Sequence, residues 1–384
     1  MPRLVPLLAL LVVLLAGCGS SPPAFAPFSG GDGDPLAYSG DRRPAFEQAA
    51  AAGLAPVLYE KSPGGVLATA ERTAHWRPIV NRVAARDHVD PDLLEGLIFL
   101  ESGGRPDAQA GSDPRSATGL AQILAGTAHD LLGMHVDIAA ARRAKTERGR
   151  RRADQRLDPA ASIAGAGRYL MIAKRTLGRD DLALESYHMG IGNLQGVLSA
   201  YGAKAVPYAQ LFFDSTPLRH AQAWQRMARL GDDSATYLWR IYAARDIMRR
   251  WREDANAMLV HADAVLHPRA AGGPIVRLTD AALSAAGVRV SPQRRRVTSS
   301  VAAFVRYAGL GVRRIGRATP LIVGPSSDGG LDVLRRYVSD PQAQALQFAL
   351  DRLQALDLIR WRRSGAVIHV TPLAGEARRL SPPS

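Results

Sequence analysis

The sequence of 384 residues contains a single cysteine, Cys18, and this scarcity limits the chemistry available to the chain. One cysteine cannot form an intramolecular disulfide, so we expect no covalent cross-link in the fold. For the same reason the sequence excludes a metal site built from several thiolates. No internal repeat is visible, and hydrophobic residues make up an ordinary 47% of the chain. These features predict a globular protein held together by burial of apolar side chains.

Acidic residues are also few in comparison with basic ones. There are 35 Asp and Glu against 49 Lys and Arg, which gives a formal net charge of +14 and a pI near 10.5. A charge of this size favours a polyanionic partner, which could be nucleic acid, an anionic membrane surface or an anionic wall polymer. Composition alone does not choose among these three.

The N-terminal sequence narrows the choice of partner. One positive charge, Arg3, precedes an apolar run over residues 4–16 that is shorter than the roughly 20 residues of a membrane span, so it predicts a secretory signal peptide. The run ends in Leu-Ala-Gly-Cys at residues 15–18, which resembles a bacterial lipobox. The resemblance implies a lipoprotein signal peptide over residues 1–18, lipidation of Cys18, and a chain exported and lipid-anchored to a bacterial membrane facing the cell wall. An incidental cysteine is the alternative, and export removes nucleic acid as a partner.

The composition predicts three further segments. Residues 19–65 are rich in Gly, Pro, Ser and Ala and predict a disordered tether. Residues 66–264 carry apolar side chains at helical spacing and predict a helical domain. After a Pro/Gly-rich break, residues 274–380 mix helical and strand-like runs, such as residues 366–370, and predict a smaller α+β accessory domain. The expected fold class is therefore mainly α.

A cluster of basic residues lies between Arg142 and Arg156. It is interpreted either as a solvated helix face or as a surface that meets anionic stem peptides or anionic wall polymers. Such contacts between exposed charges are screened beyond about 10 Å at 0.1 M salt.

One glutamate stands out at the end of a helix that is apolar nearly all round. Asp90 and Pro91 are typical of a helix start, and Gly103 is typical of its end. Glu101 is therefore predicted to lie in the last turn, either as an ordinary surface residue or partly desolvated near the negative end of the helix dipole; in the second case, burial and the dipole act together. Both effects favour the protonated acid, which is the form that a glycosidase general acid requires.

Three short blocks follow one another in the order known from one enzyme family. They are Glu-Ser at residues 101–102, Gly-Leu-Ala-Gln at residues 119–122 and Ser-Tyr-His-Met-Gly at residues 186–190. Together they resemble the signature blocks of the soluble-type lytic transglycosylases (SLT domain) of the lysozyme-like superfamily, over about residues 75–250. Two departures are Ala121, where methionine is usual, and His188-Met189, which replace Asn-Ala and put the saccharide preference in doubt.

The resemblance implies a lysozyme-like helical catalytic domain and a role for individual residues. Glu101 matches the acid/base, and Tyr187 matches the tyrosine whose hydroxyl orients that glutamate. The remaining matches are expected to contact sugar in the cleft, and they are Ser102, Gln122, Gly190 and Asn193.

The mechanism that the resemblance implies needs one carboxylate, no cofactor and no metal. The N-acetyl group of N-acetylmuramic acid assists, the C6 hydroxyl of that sugar attacks its own C1, and peptidoglycan glycan strands end in an anhydro sugar. Most other glycosidases need two carboxylates. Glu95 lies six residues before Glu101 and faces another side of the helix, and no partner is obvious near the blocks. Two alternatives remain open: a hydrolytic muramidase on the same fold, and a non-catalytic wall-binding lipoprotein.

The C-terminal segment faintly resembles a degenerate D-Ala-D-Ala carboxypeptidase-type zinc domain. Asp332 and His369 fit two of its three ligand positions, but Pro325 stands where the first histidine is needed. Two ligands do not hold zinc in a usual catalytic site. This part would then bind the wall without cutting it. An ordinary strand histidine and a winged helix are the other two interpretations.

Overall fold

The computed structural model describes residues 38, 40–215, 220–267, 288–289, 321–325, 331–334, 350–351, 354–355, 359–365 and 367–372. The predicted signal peptide with Cys18 and the start of the predicted tether lie outside these residues. Within the described part, every helix is too short or too polar to cross a membrane.

Helices make up most of the described chain, which confirms the mainly helical prediction. The thirteen α-helices described, α1 to α13 in chain order, are Arg43–Lys61, Val66–Ala74, Arg77–Asp87, Pro91–Ser102, Ile138–Arg143, Glu147–Ala153, Pro159–Leu177, Asp180–Met189, Ile191–Tyr201, Tyr208–Asp214, Ala221–Arg229, Tyr237–Glu253 and Ala255–Leu266.

Helix α1 lies inside the segment for which the sequence predicts a disordered tether, so that prediction is wrong for Arg43–Lys61. The helix is rich in alanine, the strongest helix former, and buries one side against α12. Phe46 is fully buried, and its ring lies 5.0 Å from that of Phe213 in α10. From the sequence alone, an alanine-rich segment has the composition of a linker. Here a partner helix provides the apolar surface that lets the segment fold.

Helix α4 occupies the centre of the fold and begins and ends where the sequence predicts. The Asp90 carboxylate accepts hydrogen bonds from the backbone N–H groups of Asp92 and Leu93, at 2.8 and 3.3 Å. Gly103, with φ of 60°, ends the helix and donates to the carbonyl of Phe99. Helix α12 packs directly along α4 at Gly96, where a Cβ atom would lie only 3.0 Å from backbone atoms of α12. This close approach brings the two helices into the arrangement that forms the site.

The chain between α4 and α5 contains short β-bridges and a π-helical segment, Thr127–Leu131, and is stabilised by a buried arginine. Thr118 pairs with Gln109 on one side and with Ile123 on the other in short antiparallel bridges. Arg156 is 1% exposed and donates to the Asp154 carboxylate and to the carbonyl of Ile123. The carbonyls of Pro114 and Ser116 accept further bonds from the same guanidinium. One side chain therefore holds the segment that leads into the second sequence block.

Beyond α13 the structure describes strands of one mixed sheet. Their order is β1-β2-β3-β5-β4, and their bounds are Val288–Arg289, Leu321–Pro325, Leu331–Leu334, Ile359–Ser364 and Val367–Pro372. The predicted strand at 366–370 is confirmed from Val367 onward, and Ala366 lies outside the described residues. Asp332 and His369 are direct neighbours across β3 and β5, while Pro325 ends β2.

The described C-terminal residues pack onto the helical core. Leu350, Ala355, Ile359 and Ile368 belong to the same buried cluster as the helices. The contact with α1 is close, since a Cβ at Gly53 would meet the carbonyl of residue 354 at 1.9 Å. Gly53 is therefore the residue of α1 that leaves room for this neighbour.

Candidate active site

Glu101 lies in the last turn of α4, partly buried, with its carboxylate facing the start of α12. The Tyr237 hydroxyl donates a hydrogen bond to its Oε1. Burial raises the pKa of the Glu101 carboxyl from its ordinary 4.5 to about 7, although the Tyr237 hydrogen bond and the charge of Arg240 both act to lower it. A substantial fraction of Glu101 is therefore protonated near neutral pH, as a general acid requires.

Tyr187 has a different place from the one that the sequence analysis assigned to it. Its hydroxyl donates to the backbone carbonyl of Ala121 at 2.7 Å, so the prediction that this hydroxyl orients Glu101 is wrong. The ring of Tyr187 lies parallel to that of Tyr237, with centroids 6.4 Å apart. Tyr169 packs against Tyr187 edge-on at 5.0 Å. Tyr187 thus lies beside Tyr237 in the site, and its hydrogen bond to Ala121 connects the third sequence block to the second.

Gln122 is held by the turn that contains it. Its backbone adopts a left-handed conformation with φ of 47°, which is uncommon for a residue other than glycine. Its side-chain amide donates to the carbonyls of Ala108 and Gly119 at 2.9 and 2.8 Å. Because both N–H groups are occupied, the group that Gln122 can offer a sugar is its Oε1 acceptor.

Ser102 does not line the site, so the prediction that it contacts sugar is wrong. The residue is 1% exposed, and its hydroxyl donates to the carbonyl of Ile98 one turn earlier in α4. Successive residues of a helix point about 100° apart, so Glu101 and Ser102 face different surroundings.

Gly190 and Asn193 lie at the junction of α8 and α9. Gly190 joins the two helices with φ of 85°, a conformation that favours glycine. Asn193 is exposed and donates from its amide to the carbonyl of Met189 at 2.9 Å. The turn is therefore accessible to a ligand, and its contact with sugar stays a prediction.

A polar cluster lies next to Tyr237 and includes His188, which the sequence showed only as a departure from the family, and Asp233 and Arg240, which the sequence did not single out. His188 stacks on Tyr237 with ring centroids 5.1 Å apart, and its Nδ1 lies 2.8 Å from the Ser234 hydroxyl. Asp233 forms an ion pair with Arg240, whose hydrogen bond and charge hold the pKa of that carboxyl below its ordinary value although burial opposes this. The Asp233 charge in turn acts to raise the pKa of Glu101. Asp233 lies outside the three sequence blocks, near which the sequence offered no obvious partner, and its charge nevertheless reaches Glu101.

Two other acidic side chains, one in α4 itself and one in α8, are buried and stabilise the fold. Glu95 is fully buried in α4 and accepts hydrogen bonds from Arg77 and Arg252. Glu185 is fully buried in α8, and its Oε2 accepts from the Leu238 N–H at 2.9 Å. Burial raises the pKa of the Glu185 carboxyl well above 4.5. Its hydrogen bond to Leu238 anchors the first turn of α12, which contains Tyr237.

One group of side chains in the described residues has the spacing of metal ligands. His188, Asp232 and Asp233 place one donor atom each within 4.8 Å of one another, and all three are exposed. All three already have protein partners, since His188 and Asp232 both contact Ser234 and Asp233 pairs with Arg240. The family resemblance implies no metal here, and that stays a prediction.

Comparison with known families gives a match that spans the three sequence blocks. Residues 78–207 match the family model described as Transglycosylase SLT domain. This segment is a transglycosylase SLT domain. It includes Glu101, Gln122, Tyr187, Gly190 and Asn193, and it ends well before Tyr237.

Tyr237 could not have been found from the blocks, because it follows the SLT domain at the start of α12. Its neighbours, Leu238 and Trp239, are fully buried and look like ordinary core residues in the sequence. The only local signal is an aromatic residue at a helix start. Contact with Glu101 depends on α12 packing against α4.

Removal of the Tyr237 hydroxyl tests which contacts set the pKa of Glu101. In Tyr237→Phe the pKa of Glu101 should rise, because a hydrogen bond that stabilises the ionised carboxylate is lost. The general acid then stays protonated to higher pH, so the alkaline limb of the activity profile should move upward from its position near pH 7. Turnover at the optimum should fall roughly 10- to 100-fold, since hydrogen bonds to charged groups contribute about 1.5–3 kcal/mol.

The matched control is Tyr187→Phe. It removes the same atom from the neighbouring ring, but that hydroxyl donates to Ala121 and not to Glu101. Its alkaline limb should stay in place. An equal shift in both variants would show that the limb does not report the Tyr237–Glu101 hydrogen bond.

Proposed function

We propose that this protein is a peptidoglycan lytic transglycosylase that uses Glu101 as its acid/base. The observation that carries the proposal is a glutamate with a pKa near 7, hydrogen-bonded by Tyr237 within a helical assembly that includes an SLT domain. We infer the lysozyme-like fold for this part from the same match. The substrate is the glycan strand of peptidoglycan, cut at the β-1,4 bond between N-acetylmuramic acid and N-acetylglucosamine.

The reaction uses one proton and returns it. Glu101 donates its proton to the glycosidic oxygen while the bond from C1 of N-acetylmuramic acid breaks and the N-acetyl oxygen of that sugar adds to C1. The C6 hydroxyl then attacks C1 and displaces the N-acetyl oxygen, and its proton goes to Glu101. The product is a 1,6-anhydro sugar, no water is consumed, and the enzyme ends in its starting protonation state.

The surrounding residues prepare Glu101 for both steps. A pKa near 7 suits a group that first donates and then accepts a proton at neutral pH. Tyr237 fixes the orientation of the carboxyl group, and the Gln122 Oε1 is available to accept a hydrogen bond from a sugar. His188 in the third block and Asn193 just after it are both exposed, and we expect these two residues to contact the saccharide.

Analysis of the products tests the reaction. Digestion of purified peptidoglycan should release muropeptides that end in 1,6-anhydro-N-acetylmuramic acid, lighter by one water than the hydrolysed species in mass spectrometry. Digestion in H₂¹⁸O provides the control, since a lytic reaction incorporates no label. Reducing ends that carry ¹⁸O would place the protein among the hydrolytic muramidases.

The hydrolytic alternative has one observation in its favour, the carboxylate of Asp233. The hydrogen bond and charge of Arg240 hold the pKa of the Asp233 carboxyl below its ordinary value against the effect of burial, and the Asp233 charge reaches Glu101. A second carboxylate is what a hydrolase uses to activate water. The other alternative, a wall-binding lipoprotein without catalysis, gives no product of either kind.

We also propose that the protein is exported and anchored to a bacterial membrane through lipid on Cys18. The support is the apolar run over residues 4–16 followed by Leu-Ala-Gly-Cys. Cys18→Ser should move the protein from the membrane fraction to the soluble fraction, because stable anchoring needs about two lipid chains and a serine carries none. Immunoblots of fractionated cells measure this, and a variant that remains fully in the membrane pellet would contradict the proposal.

The C-terminal residues 274–380 are proposed as an accessory wall-binding module. This part of the sequence contains Arg-Arg-Arg at residues 294–296 and Arg-Arg at residues 362–363. Arg362 and Arg363 lie exposed on β4. Guanidinium groups pair well with carboxylates and phosphates, so stem peptides and anionic wall polymers are suitable ligands.

A further inference from the structure

A second pocket lies beside the segment that carries Gln122, and no step of the proposed reaction uses it. Its volume is about 380 Å³. Its lining includes Gln109 and Thr118, and also Arg142 of α5 and Arg150 of α6. This size suits a small ligand or one end of a larger one.

The pocket carries unbalanced positive charge. Arg142 and Arg150 are both exposed, and neither pairs with a carboxylate of the described residues. The one acid that lines the pocket, Asp154, is buried and already paired with Arg156. By contrast, Arg151 of the same helix pairs with Glu147. The two free guanidinium groups therefore favour an anionic ligand.

Short bonds connect the pocket to the candidate active site. Thr118 exchanges two backbone hydrogen bonds of 3.2 Å with Ile123, the residue after Gln122. On the other side, the carbonyl of Ala108, next to Gln109, accepts from the Gln122 amide at 2.9 Å. Residues that line the pocket are thus hydrogen-bonded to Ile123 or adjacent to a hydrogen-bond partner of Gln122. A ligand group in the pocket would therefore lie close to a sugar bound by Gln122.

We propose that this pocket binds a free carboxylate of the peptide stem attached to the glycan strand in the cleft. Peptide stems are anionic and branch from the strand, and a four-residue peptide spans at most about 14 Å when extended. Guanidinium groups bind carboxylates by paired, charge-assisted hydrogen bonds. The proposal rests on the proposed function, since it takes peptidoglycan as the ligand of the cleft.

The test compares substrates with and without peptides. In Arg142→Gln/Arg150→Gln, the KM for peptide-bearing glycan strands should rise roughly tenfold with kcat nearly unchanged, because charge-assisted hydrogen bonds to the ligand are lost. The KM for strands of equal length stripped by an amidase should stay the same. Arg143→Gln/Arg148→Gln is the matched control, since it removes the same charge from exposed residues that do not line the pocket.

Three results would overturn the proposal: an equal rise in KM on stripped strands, an equal rise in the control, or no rise at all. The first two would assign the effect to general attraction between charges, which salt also weakens.

A binding measurement separates this proposal from the proposed function. Stem peptide released by the amidase is titrated into the full-length Glu101→Gln protein by calorimetry, which needs no turnover. Binding that is weakened roughly tenfold by the added Arg142→Gln/Arg150→Gln changes supports the pocket even if no strand is ever cleaved. Preferential binding of a glycerol phosphate polymer, or no binding of the peptide, would overturn it.

Discussion

Glu101→Gln should reduce the rate of peptidoglycan cleavage by roughly 10²–10⁴-fold, the contribution expected of general acid–base catalysis. The amide has nearly the shape of the carboxylic acid and can still accept the hydrogen bond from Tyr237. It cannot deliver a proton to the glycosidic oxygen or take one from the C6 hydroxyl. The release of soluble muropeptides per unit time measures the loss.

The same substitution should not weaken the fold, and this separates loss of chemistry from loss of structure. The pKa of Glu101 is about 7 in the folded protein and near 4.5 when the chain is unfolded. The folded state therefore holds the proton more tightly, and the native protein loses stability as pH rises from about 4.5 through 7. Glutamine has no such dependence, so the variant should be at least as stable as the native protein at pH 7.5.

A matched control for this experiment is Glu71→Gln. Glu71 is exposed in α2, so its substitution should change neither cleavage nor stability measurably. Near-native turnover in Glu101→Gln would assign the acid to another residue. A large loss of unfolding free energy at pH 7.5 would instead attribute the loss of activity to unfolding and not to the missing proton donor. It would also contradict the raised pKa of Glu101 in the folded protein.

Arg156→Leu should lower the free energy of unfolding by about 3–5 kcal/mol, the usual cost of removing one partner from a buried ion pair. Arg156 is 1% exposed, and its loss leaves the Asp154 carboxylate buried without its cation. Three backbone carbonyls also lose a donor. Denaturant unfolding followed by circular dichroism measures the change.

Two further variants make this result specific. Arg152→Leu removes an arginine that is exposed in α6 and should change stability by less than about 0.5 kcal/mol. Adding Asp154→Leu to Arg156→Leu should recover part of the loss, because the unpaired charge is removed. If Arg156→Leu were as mild as Arg152→Leu, the buried pair would not be what stabilises the segment before Gln122.

Local sequence was sufficient for features that depend on a few neighbouring residues. Asp90, Pro91 and Gly103 determine where α4 begins and ends, because capping and left-handed turns act within one helical turn. The position of Glu101 in the last turn follows directly. The three blocks also identified the SLT domain, since they occur in the family's order over residues that the family model matches.

Features that depend on which helix packs against which could not be predicted in this way. Alanine-rich α1 has the composition of a linker, and only its burial against α12 makes it part of the core. Ser102 follows Glu101 in the family's block, yet helical geometry turns its hydroxyl back to Ile98. A motif gives the order of residues but not the direction of each side chain.

By itself the sequence determined the central helix, the acid at its end and the family of the segment around it, because local backbone preferences and short motifs suffice for these. The tertiary structure alone decided that Tyr237 donates a hydrogen bond to Glu101, while Tyr187 donates to the Ala121 carbonyl instead. It also decided that the charges of Asp233 and Arg240 act on the pKa of Glu101. The physical reason is distance along the chain. Tyr237 is far from Glu101 in sequence, and only the packing of α12 along α4 at Gly96 brings the two side chains into contact.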